Sequence, residues 1–136
     1  MTKLQGKNIL ITGASQGLGR ELALAFAKNG AAGLSLAARH LVALQKVRDE
    51  FRHIAPATKV LTIEADVSKA KDIERLVATT LNAFGGRLDV LVNNASAIGP
   101  SPIPFLLDYP LEDFQTVPNP NLIGPFLLIK HLLQHV

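Results

Sequence analysis

The 136 residues suffice for one domain with its own core, and at 48% hydrophobic and 18% charged they describe a compact globule rather than a disordered chain. Lys and Arg together number 14 against 11 for Asp and Glu, a net charge of +3. That excess is spread along the sequence with few aromatics, which argues against a nucleic-acid-binding stripe and suits a small anionic ligand. Cysteine is absent, so disulfides and thiolate metal sites are excluded and a reducing cytoplasm is the natural compartment. No apolar run reaches the ~18 residues of a membrane span, and the N-terminus lacks a signal-peptide core. The expectation is a soluble cytoplasmic protein with no metal, nucleic-acid or membrane partner.

Short apolar runs alternate with longer helical patterns. Asn8-Ile9-Leu10-Ile11-Thr12 is apolar without alternation, as a buried strand of a parallel sheet requires. A helix follows from Gly17 to Asn29, with Leu18, Leu22, Ala25 and Phe26 as its apolar face and Gly30 as its stop. The second strand, Gly33 to Ala38, leads into a helix over Leu41–His53 with the stripe Leu41, Leu44, Val47 and Phe51. The third, Lys59 to Glu64, precedes a helix capped by Ser68, carrying Ile73, Leu76, Val77, Leu81 and Phe84, and closed by Gly85-Gly86. The fourth, Leu88 to Val92, opens into a loop rich in Gly, Pro and Ser, and an apolar helix runs over about Asn121–His135. Repeated strand–helix alternation predicts a doubly wound α/β fold with a parallel sheet in the order 3-2-1-4 and no linker or repeat.

Thr12-Gly13-Ala14-Ser15-Gln16-Gly17-Leu18-Gly19 lies between the first strand and the first helix. In that position Gly13 turns the chain off the strand, Gly17 leaves room for a pyrophosphate, and Gly19 lets the helix pack closely. The helix's free N–H groups then attract phosphates. Gly-x-x-x-Gly-x-Gly differs from the Gly-x-Gly-x-x-Gly fingerprint of the standard dinucleotide turn. Taken alone it is compatible with an ordinary strand-to-helix turn.

Thr-Gly-x-x-x-Gly-x-Gly at this place resembles the signature of the short-chain dehydrogenase/reductase family, and further motifs follow in the family's order. Asp66-Val67 is similar to its Asp-Val pair, Asn93-Asn94-Ala95-Ser96 to its Asn-Asn-Ala-Gly, and Asn121-Leu122-Ile123-Gly124-Pro125-Phe126 to its Asn-Leu-x-Gly-x-Phe. The resemblance implies a cradle made of Gly13, Ser15, Gln16, Gly17, Leu18 and Gly19, with the Asp66 carboxylate and Val67 at the adenine. It also implies that Asn93 and Ala95 lie beside the ribose, and that Asn121 belongs to the catalytic tetrad, positioning a water against its Lys. Taken singly, Asp66 also suits a helix cap and Asn93 a turn. At the end of the second strand, Ala38 stands where NAD-preferring relatives carry Asp, and Arg39, followed by His40, is placed to pair with a 2′-phosphate. NADP is therefore expected over NAD.

The family's Ser and Tyr-x-x-x-Lys do not occur in these residues: Tyr109 has Asp113 four residues on, and Lys130 has Phe126 four before it. Ser96 replaces a Gly, and Pro118 and Pro120 predict a helix break near Thr116–Pro120. The fourth strand is expected to leave an open apolar edge, and the last helix, apolar nearly all round, needs cover on more than one side. The expectation is the dinucleotide-binding portion of an NADP(H)-dependent carbonyl reductase or alcohol dehydrogenase, incomplete on its C-terminal side and inactive alone. It is expected to form a homo-oligomer through the last helix or the sheet edge. The alternatives are a non-catalytic dinucleotide-binding or interaction module and an obligate assembly completed by another chain.

Overall fold

The first strand, β1 (Asn8–Thr12), pairs in parallel with β2 (Gly33–Ala38) on one side and β4 (Val90–Val92) on the other, while β3 (Lys59–Glu64) extends the sheet beyond β2. The computed structural model describes residues 3–97 and 104–135, so part of the Gly- and Pro-rich loop after β4 lies outside it. The sheet order is the one the strand–helix alternation predicts. Every residue of β2 is buried, as expected of a strand with neighbours on both sides and helices on both faces. β4 is shorter than the sequence suggests, beginning at Val90 rather than Leu88. Its approach is fixed by backbone and side chains together: Asp89 N donates to the Asn8 carbonyl at 2.9 Å, Asn8 N to Asp89 Oδ2 at 2.8 Å and Asn8 Nδ2 to the Arg87 carbonyl at 3.0 Å.

One face of the sheet carries α1 (Gly17–Lys28) and α2 (Leu41–Ile54), and the other carries α3 (Ala70–Ala83) and α5 (Gly124–Leu133). A short α4 (Leu111–Thr116) precedes α5, preceded in turn by a 3-10 turn at Leu106–Asp108. On the first face Ile9, Ile11, Leu34 and Leu36 pack with Leu44, Val47 and Phe51 of α2. On the second, Leu10, Ala37 and Ile63 meet Ile73, Leu76 and Val77 of α3 and Leu128 and Leu132 of α5. Among the described residues no helix is long and apolar enough to cross a membrane.

Three local expectations are corrected. The buried line of α1 is Gly19, Ala23 and Ala27, while Leu18 is 66% exposed and Ala25 is exposed too. Residues four apart stack on one face of a helix, and here the small ones face the sheet so that the helix axis sits close to it. Ser68 does not cap α3: Lys69 holds that position, and Ser68 turns back onto Asp66. The last helix does not start smoothly at Asn121. α4 ends at Thr116, and a π-helical turn over Asn119–Ile123 carries the chain into α5, as two prolines with no N–H to donate require.

α3 also buries a group the apolar pattern does not reveal. Thr80, fully buried, shares a hydrogen bond of 2.8 Å with the equally buried Ser35 hydroxyl of β2. Each hydroxyl is the other's means of satisfaction in an apolar layer. Thr80→Val is expected to cost about 1–3 kcal/mol by orphaning Ser35. The double replacement Ser35→Ala with Thr80→Val should recover part of that loss, and urea unfolding midpoints of the three chains measure both effects.

Candidate functional site

The strands β1, β2 and β3 all end at one edge of the sheet, and a cleft of about 360 Å³ opens there. Its first wall is the turn between β1 and α1. Gly13 leaves the strand at φ 64°, and a Cβ added to it would stand 2.9 Å from the Ala95 Cα. Gly17, at φ 57°, has nothing within 4 Å of where a Cβ would stand, so its backbone is bare toward the cleft. The turn is held by three bonds to the segment after β4. Asn94 N and Ala95 N donate to Thr12 Oγ1 at 3.1 and 3.0 Å, and Asn94 Nδ2 donates to the Gly13 carbonyl at 3.0 Å.

Two of the helices that open on this edge, α1 and α2, begin without a side-chain cap. α1 starts after Gln16 and α2 after His40; neither has a capping hydrogen bond or an acidic residue in its first turn. First-turn N–H groups and the positive end of each helix dipole are thus left for a ligand to satisfy. Gln16, Arg39 and His40 all line the cleft.

The segment after β3 forms a closed polar turn. Asp66 Oδ1 accepts from Ser68 N at 2.9 Å and from Ser68 Oγ at 2.6 Å, while Asp66 N donates to Asp72 Oδ2 at 2.9 Å. Partial burial pushes the Asp66 carboxyl pKa up, but the two Ser68 hydrogen bonds and the charges of Lys69 and Arg39 outweigh it and hold it below the ordinary value. Asp66 is therefore a fixed anion at neutral pH with lone pairs left to accept from a ligand amino group.

Of the residues singled out from the sequence, Gly13, Ser15, Gln16, Gly17, Leu18, Arg39, His40, Asp66, Val67 and Ala95 line the cleft. Gly19, Asn93 and Asn121 do not. Gly19 is buried beneath the turn, where a Cβ would run into the Gly13 carbonyl and the Asn94 amide; its role is close packing, as the spacing predicts. Asn93 is exposed, and its neighbour Asn94 braces the glycine turn. The doublet does not say which of the two faces inward, because adjacent side chains on extended backbone point opposite ways. Asn121 Nδ2 donates to the Ala97 carbonyl at 2.6 Å and its Oδ1 accepts from Ala97 N at 2.8 Å, so both ends of the carboxamide clamp the segment after β4. Ser96, Ala97 and Pro120 complete the wall. Among the described residues no group of His, Asp and Glu is arranged to hold a metal ion.

The chain matches the short chain dehydrogenase family over residues 7–136 and belongs to it. It is 41% identical to 11-beta-hydroxysteroid dehydrogenase A of Arachis hypogaea over 131 residues, which are 96% of this chain and 36% of that one. A 3-ketoacyl-(acyl-carrier-protein) reductase from Brucella melitensis, solved with NADH, superposes with a TM-score of 0.83 at 37% identity, covering 98% of this chain and 51% of that one. A metagenomic short-chain oxidoreductase solved with NADP gives a TM-score of 0.82 at 30% identity, covering 98% and 58%. The chain thus spans about half the length of these solved relatives or less of the curated one. Members of this family bind NAD(P), and the bare Gly17 backbone and the uncapped starts of α1 and α2 fit such a group.

Because the folded-state pKa of Asp66 is depressed, its contribution to stability is present above the ordinary aspartate range and lost as the pH falls through the depressed value. Asp66→Asn is expected to lower the urea midpoint at neutral pH and to converge on the parent chain in strong acid. A deficit independent of pH would mean that the carboxylate charge is not what holds this turn.

Proposed function

We propose that this chain is the NADP(H)-binding domain of a short-chain oxidoreductase that moves hydride between a nicotinamide and a carbonyl or alcohol substrate. The observation that carries the NADP reading is the end of β2. A ligand ribose bearing two free hydroxyls calls for an acceptor carboxylate there, and this strand ends in the buried Ala38. The next residues are Arg39 and His40, both exposed, both lining the cleft, and His40 stands at the uncapped start of α2. A phosphate at that point gains the Arg39 guanidinium and the unfilled N–H groups of the helix together. Gly13, Ser15, Gln16, Gly17 and Leu18 would hold the pyrophosphate, Asp66 and Val67 the adenine, and Ala95 the ribose region. NADPH is expected to bind more tightly than NADH, and Arg39→Asp to reverse that order. Equal affinities by titration calorimetry, unmoved by the substitution, would overturn the preference.

Hydride transfer to a carbonyl, the chemistry the nicotinamide supplies, builds negative charge on oxygen, and a positioned general acid is worth roughly 10²–10⁴ in rate. Among the described residues the cleft has no Tyr or Lys in its wall. Tyr109 is four residues before Asp113, and Lys130 is exposed on α5 one turn after Phe126. The Asn121 carboxamide is committed to Ala97. Binding and turnover should therefore separate: the purified chain should bind dinucleotide yet leave NADPH absorbance unchanged with a panel of ketones and aldehydes. Steady oxidation abolished by Tyr109→Phe would show that this tyrosine reaches the substrate oxygen.

The same reading has α5 and β4 covered in the working protein, by a second copy in a homo-oligomer or by further chain. Its support is the exposure of Leu122 in the turn before α5 and of Phe126 and Leu133 along it, each above 60%, and the half-buried state of β4 at the sheet edge.

A further inference from the structure

A second cavity, of about 420 Å³, opens off the cleft and shares Arg39, Ala65 and Asp66 with it. Its remaining wall is Glu64 at the end of β3 and Lys69, Asp72 and Arg75 at the start of α3. We propose that Lys69 is a further specificity residue, sharing the 2′-phosphate of NADP with Arg39 at the junction of the two cavities. The inference rests on the NADP reading above and adds a residue that no sequence motif marks.

Several of the charges in this cavity are already engaged. Asp66 Oδ1 holds two hydrogen bonds from Ser68, and Asp72 Oδ2 takes the Asp66 N–H. Arg75 donates to the Glu64 carbonyl at 2.6 Å and lies 3.8 Å from Asp72 Oδ1. Three charged side chains remain: the Arg39 guanidinium, the Lys69 ammonium and the Glu64 carboxylate. Among the described residues no hydrogen bond or ion pair engages the side chain of Arg39 or of Lys69. Both cations act on the Asp66 carboxylate, which burial pushes up and the Ser68 hydrogen bonds and these charges pull down, so both lie within Coulomb reach of one point on the shared wall.

A phosphate dianion at that wall meets the Asp66 and Glu64 carboxylates as well as Arg39. One cation against two carboxylates is a poor site for a dianion; two cations make it a workable one. The two cations are suited to different parts. The planar guanidinium fixes a phosphate by paired hydrogen bonds, whereas a lysine ammonium on a four-carbon stem supplies charge with little geometry and reaches across a gap. Lys69 should thus set how strongly the phosphate is held, and Arg39 where it lies.

The test is titration calorimetry of NADPH and NADH against the chain and its Lys69→Gln, Lys69→Arg and Arg39→Gln variants, at low and at high salt. Lys69→Gln should raise the Kd for NADPH about two- to fivefold at low salt, the size of one exposed charge contact. It should leave NADH binding unchanged, and the gap should close at about 1 M salt, where the Debye length falls to about 3 Å. Lys69→Arg should behave as the parent. If Lys69→Gln binds NADPH normally while Arg39→Gln weakens it, Lys69 is idle and the NADP reading still stands. Equal weakening of NADH and NADPH by Lys69→Gln would place its effect on the adenosine or the fold and overturn the assignment. If neither glutamine variant moves the NADPH-to-NADH ratio, the NADP reading fails and this inference falls with it.

Discussion

One threonine hydroxyl ties the working edge of this molecule together. Thr12, 2% exposed at the end of β1, accepts from the backbone N–H groups of both Asn94 and Ala95, and the Asn94 amide returns a hydrogen bond to the Gly13 carbonyl. Three backbone groups that would otherwise be stranded where the strands stop are satisfied within a few ångströms. The knot also sets how close α1 approaches, because Gly19 sits where a side chain would strike the Gly13 carbonyl and the Asn94 amide. From that contact follow the small-residue face of α1, the position of its uncapped N-terminus, and the place of Gly17 against open space. The cleft is the space left over by satisfying this joint.

The fold was legible because its strong signals are local. Runs such as Ile9-Leu10-Ile11 and Leu34-Ser35-Leu36, each followed by a helical period, admit little besides a parallel sheet, and the observed β3-β2-β1-β4 order agrees. The stripe of α2 and the Gly85-Gly86 stop, at φ 64° and 83°, were legible for the same reason. What the sequence hides are contacts between distant segments. Leu18 and Phe26 outrank Ala23 and Ala27 on any hydrophobicity count, and only the proximity of the sheet makes the alanines the inner face. Ser68 has the chemistry of a helix cap, but the carboxylate two residues earlier competes for it and wins. Thr80 is invisible to apolar periodicity because its partner is 45 residues away.

The site was legible by segment more than by residue. Motif order brought four loops to one edge, yet of the asparagine pair it is Asn94 that faces the glycine turn and Asn93 that faces out. Asn121 shows the same limit. Its place beside the cleft follows from the motif, whereas its engagement by both backbone groups of Ala97 depends on where the π-helical turn delivers it. Pro118 and Pro120 make that turn necessary, so residues that look like a defect in the helix are what aim it.

The seat of α5 couples parts that topology keeps apart. Gly124 is buried, and a Cβ there would run into the Val67 carbonyl, so the helix rests directly on the backbone of a cleft-lining segment. One turn earlier Pro120 forms part of the cleft wall and Asn121 grips Ala97 on the opposite side. The start of α5 is therefore a keystone wedged between two walls of the cavity, while its outer surface presents Phe126, Ile129 and Leu133 to whatever lies beyond. Pressure applied to that outer surface bears on a helix whose start lies directly against the Val67 backbone. The breadth of the cleft is thus tied to the packing of the outermost helix.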